Sequence, residues 1–164
     1  MKRFTVDAML GKLALWLRLA GYDTRYSTEM HDDELLQISM DESRVLITSD
    51  AELYERAKNQ NVESLLLRGP VDEGVARVFA KYNIPTKIDP ERSRCSKCNG
   101  NLITLKDADK EQVKGLVFEQ TFDYYEEFWL CEDCNSVFFQ GGHWKNIEIY
   151  LKKLSDIMEK YHAP

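Results

Sequence analysis

Along the first 90 residues, short apolar runs alternate with segments whose apolar positions recur at helical spacing. Arg3 to Val6 reads as a short strand. Leu10, Leu13, Ala14 and Leu17 then fall at i, i+3, i+4 and i+7, one face of a helix that Gly21 ends. Asp23 to Tyr26 predicts a second strand. Asp32 and Asp33 open the next helix, where carboxylates satisfy free N–H groups and favour the dipole, with Leu35, Leu36, Ser39 and Met40 on its inner side. Val45-Leu46-Ile47 is a continuous aliphatic run of the kind a strand buried on both faces carries. Thr48-Ser49-Asp50 follows it, then a helix from about Ala51 to Lys58. Leu65-Leu66-Leu67 repeats the buried-strand pattern, and Val71, Val75, Val78, Phe79 and Tyr82 mark one more helix face. Strand and helix thus alternate four times, which predicts a parallel sheet covered by helices. Neither Gly-x-Gly-x-x-Gly nor a Gly-Lys-Ser/Thr motif occurs, so the two commonest nucleotide-binding versions of that architecture lack support.

After Pro85 and Pro90 the pattern changes. The chain's 4 cysteines form two tight pairs, Cys95-x-x-Cys98 and Cys131-x-x-Cys134, with 32 residues between them. Each turn presents two thiolates to one ion, and two such turns close a tetrahedral site of four sulfurs, which predicts structural zinc. The alternative of two disulfides suits a secreted protein, but Met1-Lys2-Arg3-Phe4 does not begin a signal peptide, and we expect a cytoplasmic location. A redox pair is disfavoured because neither motif opens a helix after a strand. Gly100-Asn101-Leu102-Ile103 reads as a knuckle leading to a strand, and the charged insert from Lys106 to Glu127 as a loop with a short helix. Beyond it, Ile147, Leu151, Leu154, Met158 and Tyr161 form one stripe of a last helix, expected to pack back on the ribbon or the first domain. The expected domains are residues 1–90, 91–144 and 145–164.

Composition changes this picture little. Hydrophobic residues at 43% and charged residues at 30% suit a globular chain. No apolar run approaches the roughly 18 residues that span a bilayer. The net charge of −6 disfavours passive binding of nucleic acid, but charge is unevenly placed. Residues 1–28 carry five cations (Lys2, Arg3, Lys12, Arg18, Arg25) against two acids, whereas residues 29–42 carry six acids and neither Lys nor Arg. A mildly basic surface beside an acidic cluster suits an enzyme that holds phosphate and divalent metal together; ordinary solvated faces explain it equally.

The acids sit where chemistry collects. In open parallel sheets, functional groups lie beyond the carboxyl ends of the strands. Asp7 and Asp50 follow predicted strands directly, and Asp32 and Asp33 begin the helix between them. Carboxylates brought together repel, and tolerate one another by binding hard divalent cations through oxygen. Each acid also has a plainer reading as a helix cap.

The run Phe4-Thr5-Val6-Asp7-Ala8-Met9-Leu10-Gly11-Lys12-Leu13-Ala14-Leu15-Trp16-Leu17-Arg18-Leu19-Ala20-Gly21-Tyr22-Asp23-Thr24 resembles the opening of the Mut-seven C-terminal RNase family, a branch of the PIN-domain nucleases. Asp32-Asp33-Glu34-Leu35-Leu36 and Val45-Leu46-Ile47-Thr48-Ser49-Asp50-Ala51-Glu52-Leu53 continue the likeness in order. Phe128-Trp129-Leu130-Cys131-Glu132-Asp133-Cys134, followed by Gly142-His143-Trp144, resembles that branch's appended zinc ribbon. The resemblance implies a PIN-like α/β/α sandwich whose acids bind Mg²⁺ or Mn²⁺ and hydrolyse RNA. Carried over, Asp7 and Asp50 become metal ligands, with Asp33 or its neighbour Asp32 as the helix-borne acid and Glu52 as a further candidate. Ser49 stands where an Arg is common in the family. Ribosomal or transfer RNA are the partners it suggests.

Candidate RNA contacts are Lys12 and Arg18 on the first helix and Arg94 and Lys97 at the first knuckle. Trp129, Phe138, Phe139 and Trp144 are stacking candidates, though covering the ribbon's small core is the favoured role. His31 and His143 are needed by neither site. The leading reading is a metal-dependent ribonuclease with a zinc ribbon that aids substrate binding. The alternatives are an inactive PIN-like adaptor for RNA or protein and, less naturally, a toxin-like nuclease.

Overall fold

The computed structural model describes residues 1–162. Four parallel strands form the first sheet: β1 (Phe4–Val6), β2 (Thr24–Tyr26), β3 (Val45–Thr48) and β4 (Ser64–Leu66), in the order β2-β1-β3-β4. The crossovers are α1 (Gly11–Leu19, preceded by a 3-10 turn over Ala8–Leu10), α2 (Asp32–Asp41) and α3 (Ala51–Asn59); α4 (Val71–Lys81) follows β4. Every strand is therefore entered from the same end, and the carboxyl ends of all four share one rim. The chain runs outward from β1 to β2 and then returns to β3 on the other side of β1. That reversal is the switch point where such sheets bind ligands.

Residues of the strands alternate between two apolar layers. Phe4, Val6, Val45, Ile47, Leu65 and Leu67 pack with α1 and α4, whereas Leu46 packs with Leu35, Leu36, Leu53 and Ala57 of α2 and α3. The result is the three-layer PIN-like sandwich. A second sheet is antiparallel, in the order β5 (Leu102–Lys106), β6 (Glu127–Cys131) and β7 (Val137–Phe138), and builds the cysteine-bearing ribbon. The insert between β5 and β6 holds a 3-10 turn over Asp107–Val113 and α5 (Glu119–Tyr124), which close a small core of Leu105, Val113, Phe128 and Leu130.

The last helix, α6 (Trp144–His162), settles a choice that its sequence pattern left open: it packs on the first domain, against α4. Leu151 and Leu154 join the main core, with Ile147, Tyr150, Ile157 and Met158 beside them, and Tyr150 stacks on Trp16 at 4.4 Å. Tyr161, the expected end of the stripe, is instead exposed and donates to Glu73 Oε2 at 3.2 Å.

A polar seam joins the ribbon to the sheet. Arg44, at the head of β3, is buried and donates to the Phe4 and Asp23 carbonyls and to Asp23 Oδ1, while its Nε meets Glu42. Hydrogen bonds from Arg25 and Arg44 hold the Glu42 carboxyl at about 2, far below its ordinary value. Asp23 in turn accepts from Asn99 Nδ2 at 2.7 Å, and Asn99 Oδ1 accepts from Thr24 N at 2.9 Å. Asn99 lies on the first cysteine knuckle, so strand β2 and the knuckle share one network. Replacing Arg44 by Met removes a buried donor from two carbonyls and from two acids, which keep only Arg25 and Asn99. Because Asp23 and Glu42 are only partly buried, we place the loss at the low end for a broken buried pair, about 3 kcal/mol, or a Tm lower by about 6–12 °C in a thermal melt. An unchanged Tm would show that the seam contributes nothing.

Candidate active site

Asp7 leaves β1 in an extended conformation, and its carboxylate is fixed on both oxygens. Oδ1 accepts from Met9 N at 2.8 Å, capping the 3-10 turn; Oδ2 accepts from Thr48 Oγ1 at 2.6 Å and from Ser49 N at 3.4 Å. The side chain is nearly buried at 8% exposure, so its rotamer is set by the rim of the sheet. Thr48 is the residue that sequence reading passed over. It is fully buried at the end of β3, and its hydroxyl gives its proton to Asp7 while accepting from Asp50 N at 3.0 Å. One hydroxyl thus ties the end of β1 to the loop that carries Asp50. Its only signal in the sequence was its place two residues before an acid at a strand end.

Asp50 is the N-cap of α3, and Oδ1 accepts from Glu52 N and Leu53 N at 2.8 and 3.1 Å. The capping role and a rim position coexist, because Oδ2 has no hydrogen-bond partner among the described residues. Asp32 opens α2 from the other side of the rim. Partial desolvation raises its pKa, and so do the negative charges of Asp50 and Asp7, against the opposing charge of Arg56. Negative charge from two other segments therefore reaches Asp32. Asp33, the other helix-borne candidate, is highly exposed and paired with Arg56. Asp32 is exposed as well, and the charges of Asp50 and Asp7 act on it. Glu52 is exposed beside Asp50 and makes no side-chain hydrogen bond among the described residues.

The three carboxylates do not form a closed cage. Among the described residues, the four cysteines alone bring three or more potential ligand atoms within 4.8 Å of one another. The acids nonetheless suit a hard cation, since every donor is oxygen and the mutual repulsion at Asp32 is offset by a single arginine.

A sequence model of the Mut7-C RNAse domain matches residues 2–151, nearly the whole chain. The chain belongs to the Mut7-C RNAse domain family. No curated protein matches the chain, and no solved structure does. Membership of the Mut7-C RNAse domain family gives a nuclease-type function at the coarse level, with RNA as the substrate it suggests. No helix among the described residues is long and apolar enough to cross a membrane.

The Mut7-C match also runs through the cysteine ribbon. Cys95 Sγ lies 3.6 Å from Cys134 Sγ, and Cys98 Sγ lies 3.4 Å from Cys131 Sγ. A tetrahedral site with bonds of about 2.3 Å needs sulfurs about 3.8 Å apart, whereas a disulfide needs about 2.05 Å. The four sulfurs thus fit one metal ion such as zinc and form no disulfide. The thiols are pulled in opposite directions: desolvation pushes Cys98 up to about 12, while hydrogen bonding with Ser136 brings Cys134 down to about 6. Gly100 is required by close approach, since a Cβ there would lie 2.9 Å from Cys131 Sγ and 2.5 Å from Asp133 Oδ2.

Three of the four cations read from the sequence as RNA contacts are committed elsewhere. Arg18 is buried and donates to the Thr24 and Ser96 carbonyls at 3.1 and 3.2 Å, joining α1 to the first knuckle. Arg94 donates to the Asn99 carbonyl at 2.9 Å within the same seam. Lys12 is paired with Asp72 at 2.9 Å and lies 4.5 Å from the centre of the Tyr150 ring. Arg18 and Lys12 are drawn in by partners distant in sequence, Ser96 and Asp72. Lys97 alone is exposed without an ion pair among the described residues, and it lines a groove that runs past Leu15 and Tyr26 toward Gly11. Trp129 is buried, while Phe138, Phe139 and Trp144 are half-buried, so these aromatics cover the ribbon's core and its junction with α6.

Proposed function

We propose that the chain is a metal-dependent ribonuclease of the PIN type, cutting RNA phosphodiester bonds at the rim held by Asp7, Asp32 and Asp50. The observation that supports the reading is Asp7, anchored by Thr48 where β1 ends, with Asp50 and Asp32 opening the helices α3 and α2 on either side of it and their charges acting on one another at Asp32. Bound there, Mg²⁺ or Mn²⁺ would supply a polarised water and neutralise charge at the scissile phosphate. The chain's own part is to hold oxygen donors in place. Asp7 keeps a fixed rotamer through Met9 N and Thr48 Oγ1, Asp50 offers Oδ2 while Oδ1 caps α3, and Asp32 reaches over from α2. Arg56, which pairs with Asp33, tempers the negative charge that an RNA strand must approach.

Residues 1–90 do the cutting in this reading. Residues 91–144, held by zinc on Cys95, Cys98, Cys131 and Cys134, support the RNA as it leaves the rim, with Lys97 as the exposed cation at the end of the groove over α1. The last helix, α6, holds the assembly closed through its packing on α4. The second reading, an inactive adaptor, draws on the failure of the acids to form a closed cage. The two separate cleanly in a cleavage assay with Mn²⁺ on single-stranded and structured RNA. Asp32→Asn is expected to lower kcat about a hundredfold and Asp33→Asn to leave it within about threefold. Absence of cleavage by wild type would favour the adaptor, and equal cleavage by wild type and both variants would remove Asp32 from the site.

A further inference from the structure

Next to the acids, on the face of the sheet covered by α1 and α4, lies a cleft of about 340 Å³ between the turn after β1 and the connection from β4 to α4. Met9, Lys12, Ser49, Arg68, Gly69 and Val71 form its rim. Its position is set by the catalytic candidates themselves. Met9 N and Ser49 N both donate to Asp7, and Ser49 precedes Asp50. A polyanion with one phosphate at the acids can lay a neighbouring nucleoside in this opening.

The lining suits that occupant. Met9 is 80% exposed and Val71 50% exposed, so two apolar side chains stand open to a ligand at the lip of the same cleft. Arg68 is exposed and, among the described residues, its side chain makes neither a hydrogen bond nor an ion pair. That sets it apart from Lys12 across the cleft, which Asp72 neutralises. Gly69 has a φ of +89°, and nothing lies within 4 Å of where its Cβ would stand, so the wall beside Arg68 is bare backbone. A nucleobase has flat apolar faces and sits beside a phosphate. Two flexible aliphatic side chains and one uncommitted guanidinium match both parts. Methionine adapts its shape, so such a bed accepts any base and confers little sequence preference.

We propose that this cleft is the subsite for the nucleoside next to the scissile phosphate, with its base on Met9 and Val71 and its outer phosphate at Arg68. The inference rests on the ribonuclease reading and names how that site grips its substrate.

The test uses the full chain with Mn²⁺ and short single-stranded RNA oligonucleotides that carry one abasic residue on either side of the cut. Wild type is expected to cleave the intact oligonucleotide with a kcat/KM about tenfold above that of one of the two abasic forms. The Met9→Ser/Val71→Ser double variant is expected to cleave intact and abasic forms alike. Both side chains are exposed, so its Tm should match that of wild type. Arg68→Ala is expected to raise KM about fivefold at constant kcat and to lower the slope of log KM against log salt by about 0.7, the effect of one lost phosphate contact on a single strand. Equal cleavage of intact and abasic RNA by wild type, or full discrimination surviving in the double variant, would overturn the subsite while leaving the nuclease intact. If wild type cleaves no RNA at all, the ribonuclease reading falls and the subsite falls with it.

Discussion

Asp7→Asn is expected to lower single-turnover RNA cleavage about a thousandfold, or ~4 kcal/mol of transition-state stabilisation, with little change in folding. The substitution keeps the shape of the side chain. An asparagine oxygen can still accept from Met9 N, and its amide can face Thr48 Oγ1, so the two close hydrogen bonds that anchor the carboxylate survive in altered polarity. Only the longer contact from Ser49 N at 3.4 Å loses its acceptor. Net stability should therefore move by about 1 kcal/mol or less. What disappears is a fixed negative charge at the carboxyl end of β1, and with it a positioned oxygen donor for a hard cation. The pairing of measurements matters. A melting curve that overlays wild type together with a collapse in rate assigns Asp7 to the chemistry. Undiminished cleavage would remove the assignment, and a collapse in both would reduce Asp7 to a structural cap.

The second large effect concerns the ribbon. Cys131→Ser is expected to drop bound zinc from about one equivalent to less than half, and to expose residues 91–144 to proteases. The four buried residues of the ribbon core, Leu105, Val113, Phe128 and Leu130, are too few to hold a module of this size by hydrophobic burial alone. Cys131 is itself fully buried, with Gly100 packed against its sulfur. Loss of one thiolate leaves three sulfurs around an ion that favours four, and structural zinc contributes roughly 10–16 kcal/mol in comparable small modules. The damage should spread to the seam, because Asn99 reaches Thr24 and Asp23 only while the first knuckle keeps its shape. Zinc content by metal analysis and limited proteolysis read the two effects separately. A reduced, purified variant that keeps a full equivalent of zinc and the protease resistance of wild type would contradict the four-sulfur site.

Several features of this molecule were legible before folding was considered. The alternation of aliphatic runs with helical stripes placed β1, β3 and α4 close to their observed bounds. These patterns depend on neighbours two, three or four residues away, which a sequence displays directly. Asp7 and Asp50 were legible for the same reason: each directly follows a strand or its short exit loop, and parallel topology puts all strand ends on one rim. The choice between Asp32 and Asp33 was not. Adjacent residues on a helix differ by about 100° in direction, and only the packing of α2 beside α3 decides that Asp33 is the one paired with Arg56.

The cations show the same limit more sharply. Lys12, Arg18 and Arg94 look alike in sequence as solvent-facing positive charges beside functional motifs. In the fold, Arg18 meets the carbonyl of Ser96, Arg94 meets Asp23 and Asn99, and Lys12 meets Asp72, mostly partners far along the chain. Long cationic side chains take whatever acceptor the packing delivers, and local pattern carries no record of it. Arg68, unremarkable in sequence, is left uncommitted for the same reason.

By itself, then, the order of residues determined the strand–helix alternation, the two cysteine turns, and the acids at the strand ends, because each follows from near neighbours and from the handedness of parallel crossovers. The tertiary structure alone decided that the four sulfurs gather, that Thr48 anchors Asp7, which positive charges are taken up by acids and carbonyls, and that α6 closes over α4. Those outcomes are set by contacts between residues distant in the chain, whose energies exist only once the layers have packed.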